Sequence, residues 1–135
     1  MFRHCTLFPD VRILGDPGIM PVEVSRVAIS RTYSRRRRTE PFLTLMKAVI
    51  QAAQEAGATH LIGATDAALH RWLVHYGFPY RVSGPVVDYY GAVAPCVMSL
   101  VELDEVILGG RYAALEGITL TSSVMAHGSR RGYGR

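Results

Sequence analysis

Hydrophobic residues recur at steps of three and four between Phe42 and Ala53, which is the spacing of one face of an α-helix. The apolar positions in this segment are Phe42, Leu45, Met46, Val49, Ile50 and Ala53. Thr39 is placed to act as the N-cap, Pro41 suits the first turn, and Gly57 suits the position just beyond the end. The pattern therefore predicts a long amphipathic helix.

Shorter apolar segments on both sides of this helix predict strands. The predicted strands are 11–14, 22–30, 60–65, 78–82 and 95–103, and a second helix is predicted over 67–76, capped by Thr65 or Asp66 and ended by Gly77. Residues 104–115 have helical spacing that Gly109 and Gly110 interrupt. This alternation of strands and helices predicts an α/β (α+β) fold built around a mixed sheet.

The composition predicts one globular domain. The chain has 135 residues, of which 49% are hydrophobic, and this is enough for a single core. We therefore expect one domain over residues 1–115, followed by a flexible basic tail, rich in glycine and arginine, over residues 116–135. Without an apolar leader or a membrane-spanning run, and with only the isolated cysteines Cys5 and Cys96, the sequence favours a reducing, cytoplasmic location.

Positive charge is concentrated in one stretch. The formal net charge is +4, from 15 basic and 11 acidic residues, and six of the basic residues lie within 26–38. Such a patch favours an anionic partner, which is a phosphate-bearing cofactor, an acidic protein, nucleic acid or lipid headgroups. Arg35 to Arg38 come directly before the long helix, whose N-terminus can bind phosphate. The stretch is therefore either an anion site or a solvated basic loop.

Two charged residues are set into the strand predicted over 22–30. Glu23 and Arg26 have opposite parity, so their side chains point to opposite faces unless a bulge intervenes. One interpretation makes Glu23 a general base and Arg26 a cation that orients it. The other interpretation is two independent structural ion pairs, and the spacing does not choose between them.

Weaker candidates lie within and after the second helix. Asp88, Tyr89 and Tyr90 either line a pocket or form a turn with aromatic packing. His70 and His75 are five residues apart, which does not fit the spacing of a metal-binding pair on a helix. No metal site is therefore expected, and Cys96 is interpreted as a buried structural thiol.

The order of these segments resembles a known family. The strand Glu23-Val-Ser-Arg26-Val-Ala-Ile29, an arginine-rich loop, a helix and then Tyr76-Gly77-Phe78 are together similar to GNAT-type acyltransferases. The pattern Glu-x-Ser-Arg-x-x-Ile is similar to the central strand of the acyl-homoserine-lactone (autoinducer) synthases. The segment Gly84-Pro-Val-Val-Asp88-Tyr-Tyr-Gly91 resembles the N-acyl amino acid synthases and the acyltransferases associated with the PEP-CTERM/exosortase system. The resemblance covers residues 20–105.

The resemblance implies an N-acyltransferase with a GNAT-like, mostly antiparallel sheet flanked by helices. Its donor would be a long-chain acyl-phosphopantetheine thioester on acyl carrier protein or coenzyme A, a co-substrate rather than a permanently bound cofactor. Its acceptor would be the amino group of an amino acid or related amine. The catalytic residues implied are Glu23 as base and Arg26, which would orient Glu23 or the acceptor, and the substrate pocket would contain Asp88, Tyr89 and Tyr90. The donor would be bound by Ala28, with nearby backbone N–H groups for the oxyanion, by Ile29 and Ser34, and by Arg35, Arg36, Arg37 and Arg38, which would hold the phosphate.

Two departures from the family pattern change these expectations. Leu73 stands where many GNAT enzymes have a general-acid tyrosine, which favours the synthase-like branch. Only 20 residues precede Pro21, so the fold is expected to be N-terminally truncated or completed by a second copy in a homodimer. The alternative is a non-catalytic binding domain or remnant whose basic loop holds acyl carrier protein, nucleic acid or anionic lipid. Nucleic acid is the least expected of these partners.

Overall fold

The computed structural model describes residues 18–24, 39–88 and 91–123 of the chain. Its longer helices in these ranges are α1 (Thr39–Glu55), α2 (Ala67–His75) and α3 (Leu100–Gly109). The strands are β1 (Pro21–Glu23), β2 (His60–Thr65), β3 (Arg81–Val82), β4 (Val87–Asp88) and β5 (Ala92–Ser99), and a 3-10 turn follows at Ala113–Leu115. The strand predicted over 11–14 and residues 25–30 of the next one lie outside the described residues.

The five strands form a sheet in the order β1-β2-β5-β3, with β4 also paired to β5. β1 runs parallel to β2, and α1 lies between them in the chain, as a parallel crossover requires. β2, β3 and β4 each run antiparallel to β5. The prediction of a mixed, mostly antiparallel sheet flanked by helices is therefore confirmed.

The strand beside β5 is divided into β3 and β4 close to Pro95. The N–H of Ser83 donates to the Pro95 carbonyl across 2.8 Å, whereas Val87 already lies opposite Val93. Residues 84–86 therefore form a bulge. In an antiparallel pair, the N–H and C=O of one residue point towards the same neighbouring strand. Any other residue at position 95 would therefore direct an N–H group at this bulge, and Pro95 has none.

The three helices cover one face of the sheet. The core residues on this face are Met46, Ile50, Ala53, Ala58, Leu61, Leu73, Phe78, Tyr80, Cys96, Met98, Leu100, Leu103 and Leu115. Burying a large apolar side chain stabilises a fold by about 1.5–3 kcal/mol, so this face holds most of the hydrophobic stabilisation. Because side chains alternate along a strand, Ile62 points the other way. It forms a small separate group with Val87 and Val97, which we call the second-face cluster.

The strand predicted over 95–103 is wrong in its second half. β5 ends at Ser99, whose hydroxyl accepts from the N–H of Glu102 at 3.3 Å and caps α3. Leu100 and Leu103 are both 0% exposed. An apolar run as short as Pro95 to Leu103 fits a strand as well as a helix, because hydrophobic spacing alone does not separate the two over so few residues.

Other predicted boundaries are close to the observed ones. Gly57 and Gly110 have φ angles of 78° and 68°, in the left-handed region that favours glycine after a helix end. Thr39 is the first residue of α1 rather than the cap before it. The strand predicted over 78–82 begins only at Arg81.

The N-terminus of α2 depends on Asp66, whose Oδ1 accepts from the N–H of Leu69 at 2.7 Å. Asp66→Ala removes this acceptor and is expected to lower the free energy of unfolding by about 1 kcal/mol, measured by urea unfolding. Asp66→Asn keeps a capping oxygen and is expected to stay within about 0.5 kcal/mol of the unchanged chain. Equal losses in both variants would show that the charge matters rather than the cap.

A buried polar network fastens the segment after the 3-10 turn. Nε2 of Gln54 donates to the Thr119 carbonyl at 2.7 Å and to the Thr121 hydroxyl at 3.0 Å. The carboxylate of Asp104 accepts from the N–H groups of Thr121 and Ser122, at 2.7 and 3.0 Å. Thr121 is 0% exposed, so these bonds lie within the fold rather than on its surface.

Packing continues across the predicted boundary between residues 115 and 116. Leu115 is 1% exposed, and Ile118 packs against the same core. Residues 124–135, the last part of the predicted basic tail, lie outside the described residues. Flexibility in that part stays a prediction.

Candidate functional site

Glu23 projects from the face of the sheet opposite the helices. Val22 and Val24 on either side of it pack against the main core, so alternation along the strand turns Glu23 the other way. Glu23 pairs with Ile62 of β2, and the two side chains share this second face. Glu23 is exposed, whereas Ile62 is 7% exposed. An exposed carboxylate therefore borders the second-face cluster, and its role as a base stays a prediction.

The regular pairing of β1 with β2 is interrupted at Val24. The N–H of Val24 still donates to the Ile62 carbonyl at 2.8 Å, but the Val24 carbonyl oxygen lies 2.7 Å from where a Cβ on Gly63 would be. In a continuing parallel ladder this oxygen would accept from the N–H of Ala64. Within the described ranges no group accepts from that N–H, and Ala64 is exposed. We call this place, formed by Val24, Gly63 and Ala64, the β1–β2 opening.

Most residues that the sequence predicts for the site lie outside the described residues. They are Arg26, Ala28, Ile29, Ser34, Arg35, Arg36, Arg37, Arg38, Tyr89 and Tyr90, and their roles stay predictions. The helix that would follow the arginine-rich loop begins at Thr39. Its first turn carries an exposed carboxylate at Glu40, which is favourable at the positive end of the helix dipole. A phosphate bound there would share that end with Glu40.

Asp88 lies at the end of β4, where the chain turns into β5. Its Oδ1 accepts from the N–H of Gly91 at 3.3 Å, and it lies opposite Ala92. Asp88 is exposed. The contact with Gly91 favours the turn role for Asp88, while its place in a substrate pocket stays a prediction.

Three polar side chains meet under the helices without any signal in the sequence. Sγ of Cys96 lies 3.0 Å from the Thr65 hydroxyl and 3.7 Å from the Ala94 carbonyl. Burial raises the pKa of the Cys96 thiol, although the hydrogen bond with Thr65 lowers it in part. Burial, and the nearby Cys96, also raise the pKa of the Tyr80 hydroxyl. Both groups are therefore neutral near pH 7, and the buried Cys96 suits the interpretation as a structural thiol.

Leu73 and the histidines of α2 belong to the scaffold. Leu73 is 3% exposed in the core, so the position four residues before Gly77 serves packing. Nε2 of His70 lies 3.0 Å from the Tyr80 carbonyl, which ties α2 to the residue before β3. Among residues 18–24, 39–88 and 91–123, no group of three or more His, Cys, Asp and Glu side chains is placed to hold a metal ion. None of the helices described in these ranges is both long and apolar enough to cross a membrane.

Comparison with known proteins finds similar solved structures but no matching family model and no matching curated protein. The chain is similar to the crystal structure of TofI in an apo form, with 24% identity and a TM-score of 0.48, over 58% of this chain and 41% of that one. It is also similar to the structure of a CoA-dependent acyl-homoserine lactone synthase, BjaI, with SAM and isopentyl-CoA. There the identity is 20% and the TM-score 0.49, over 58% of this chain and 36% of that one. The chain thus spans about two fifths of the length of these proteins.

Proposed function

We propose that this chain is an N-acyltransferase of the N-acyl amino acid synthase type. It moves a long-chain acyl group from a phosphopantetheine thioester, on acyl carrier protein or coenzyme A, to the amino group of an amino acid or related amine. One observation carries the proposal. The exposed carboxylate of Glu23 lies on a parallel strand whose next carbonyl, that of Val24, turns out of the ladder beside the N–H of Ala64, from which no described residue accepts.

The β1–β2 opening suits an extended donor that carries amide groups. A strand edge with an unpaired main-chain group can bind an extended chain through main-chain hydrogen bonds, while neighbouring pockets select its side groups. The pantetheine arm is such a chain, since it contains two amide bonds. In the proposal this arm lies in the opening next to Ala64. The thioester carbonyl then lies beside the residues after Val24, where N–H groups near Ala28 and Ile29 would stabilise the oxyanion.

The chemical step is direct attack of the neutral amine on the thioester carbonyl. A C–N bond forms, the C–S bond breaks, and Glu23 takes the proton that the amine nitrogen loses, directly or through water. Arg26 orients Glu23 or the acceptor. Leu73 cannot protonate the leaving thiolate, but a thiol pKa of about 8.5 makes the thiolate a good leaving group that can take its proton from water.

The remaining predicted residues bind the two substrates. Arg35 to Arg38, with Ser34 and the N-terminus of α1, would hold the donor phosphate, because guanidinium groups and helix N-termini both attract phosphate. The same positive charge would steer an acidic carrier protein to this end of the sheet. Asp88, Tyr89 and Tyr90 would contact the acceptor.

The test is an assay of the purified chain with a long-chain acyl group on acyl carrier protein and, in parallel, on coenzyme A. A mixture of the standard amino acids serves as acceptor, and mass spectrometry detects the product. We expect an N-acyl amino acid and an equal amount of free thiol. Donor binding without any amide product would point to the non-catalytic binding domain instead. Absence of both binding and product would overturn the proposal.

A further inference from the structure

Gly63 occupies a place in β2 that glycine does not favour. Glycine inside a strand destabilises it relative to alanine, because more backbone entropy is lost and there is no side chain to pack. The φ angle of Gly63 lies outside the left-handed region, so backbone freedom does not explain the residue. Space does explain it. A Cβ at this position would lie 2.7 Å from the Val24 carbonyl oxygen, closer than real Cβ contacts come.

We infer that Gly63 is a positioning residue that sets the geometry of the β1–β2 opening. Without a side chain at this position, the Val24 carbonyl can turn out of the ladder and lie over β2. The N–H of Ala64 then has no acceptor among the described residues, and in the proposal it donates to the pantetheine arm of the acyl donor. This inference rests on the proposed function, because it assigns the opening to the donor arm.

The sheet determines which strand would move if a side chain were added. β2 is held to β5 along its whole length, from His60 opposite Ser99 to Thr65 opposite Ala94. Gly63 itself lies opposite Cys96, which is 0% exposed, so β2 has no room to shift towards β5. β1 pairs with β2 through only three residues, Pro21–Glu23. A methyl group at position 63 would therefore displace β1 at Val24.

Gly63→Ala is expected to weaken donor binding at least about tenfold, because the displaced carbonyl changes the width of the opening. The probes are myristoyl-coenzyme A and myristoyl-acyl carrier protein, titrated by isothermal calorimetry into the full chain. Gly109→Ala is the matched control. Gly109 is exposed, has no left-handed φ, and no atom of the described residues lies within 4 Å of where its Cβ would be. This variant is therefore expected to bind like the unchanged chain.

Three results decide the inference. Equal affinity of the unchanged chain, Gly63→Ala and Gly109→Ala would overturn it and leave the proposed function standing. Binding of neither probe by the unchanged chain would overturn the proposed function, and the inference with it. If circular dichroism shows that Gly63→Ala does not fold, the inference is tested instead by hydrogen exchange of the unchanged chain with and without the probe. Protection of the Ala64 amide by bound myristoyl-coenzyme A supports the inference, and an unprotected amide in a chain that binds the probe contradicts it.

Discussion

Glu23→Gln is expected to slow amide formation at least about a hundredfold, the lower end of what a positioned general base contributes. Glutamine keeps the size of the side chain and its place on β1, but its amide cannot take the proton of the attacking amine. Glu23 is exposed, so the change should leave the folding of the sheet intact. The rate is measured by mass spectrometry of the N-acyl product. Donor affinity, measured by calorimetry, is expected to change less than about twofold.

The control for this variant is Glu105→Gln, which removes the same charge from the exposed side of α3. It should leave the rate unchanged, since Glu105 lies on the helix-covered side of the sheet and Glu23 on the other. Full activity of Glu23→Gln would mean that another group takes the proton. Equal slowing of both variants would indicate a general effect of net charge rather than a base at position 23.

Much of the fold could be predicted from hydrophobic spacing. α1 and β2 are marked by residues that face one core, and glycines mark the helix ends, so local chemistry and tertiary packing agree there. Spacing failed at Leu100 and Leu103, because the short apolar run that contains them fits a strand as well as the start of a helix. The short β3 and β4 were not predictable in detail, since their division depends on how Pro95 meets the neighbouring strand.

In the candidate site, too, features with a local cause could be predicted from the sequence, and features that depend on distant residues could not. Strand parity is a local property, and it correctly separates Glu23 from its apolar neighbours. Gly63 gave no signal, because the reason for a glycine there is a carbonyl from Val24, which is distant in sequence. The meeting of Thr65, Tyr80 and Cys96 likewise follows from sheet register rather than from any motif. Contacts between residues on neighbouring strands cannot be predicted from a single sequence unless the register of the sheet is known.

Asp104→Ala is expected to lower the free energy of unfolding by about 2–4 kcal/mol. The carboxylate accepts from the N–H groups of Thr121 and Ser122, and Thr121 is 0% exposed. Without Asp104 at least one of these donors is left buried and unpaired, and an unmade buried hydrogen bond costs more than a made one contributes. Urea unfolding followed by circular dichroism measures the loss.

Hydrogen exchange can show whether the loss of stability comes from the buried hydrogen bonds of Asp104 or from a general weakening of α3. Hydrogen exchange in Asp104→Ala should rise first in residues 118–123, because among the described side-chain hydrogen bonds to that segment only those of Gln54 to Thr119 and Thr121 would remain. Asp104→Asn keeps one acceptor oxygen and should lose about half as much stability. Glu105→Ala changes the next residue on the exposed side and is expected to stay within about 0.5 kcal/mol. A loss in Glu105→Ala equal to that in Asp104→Ala would place the cause in the helix itself and not in the buried network.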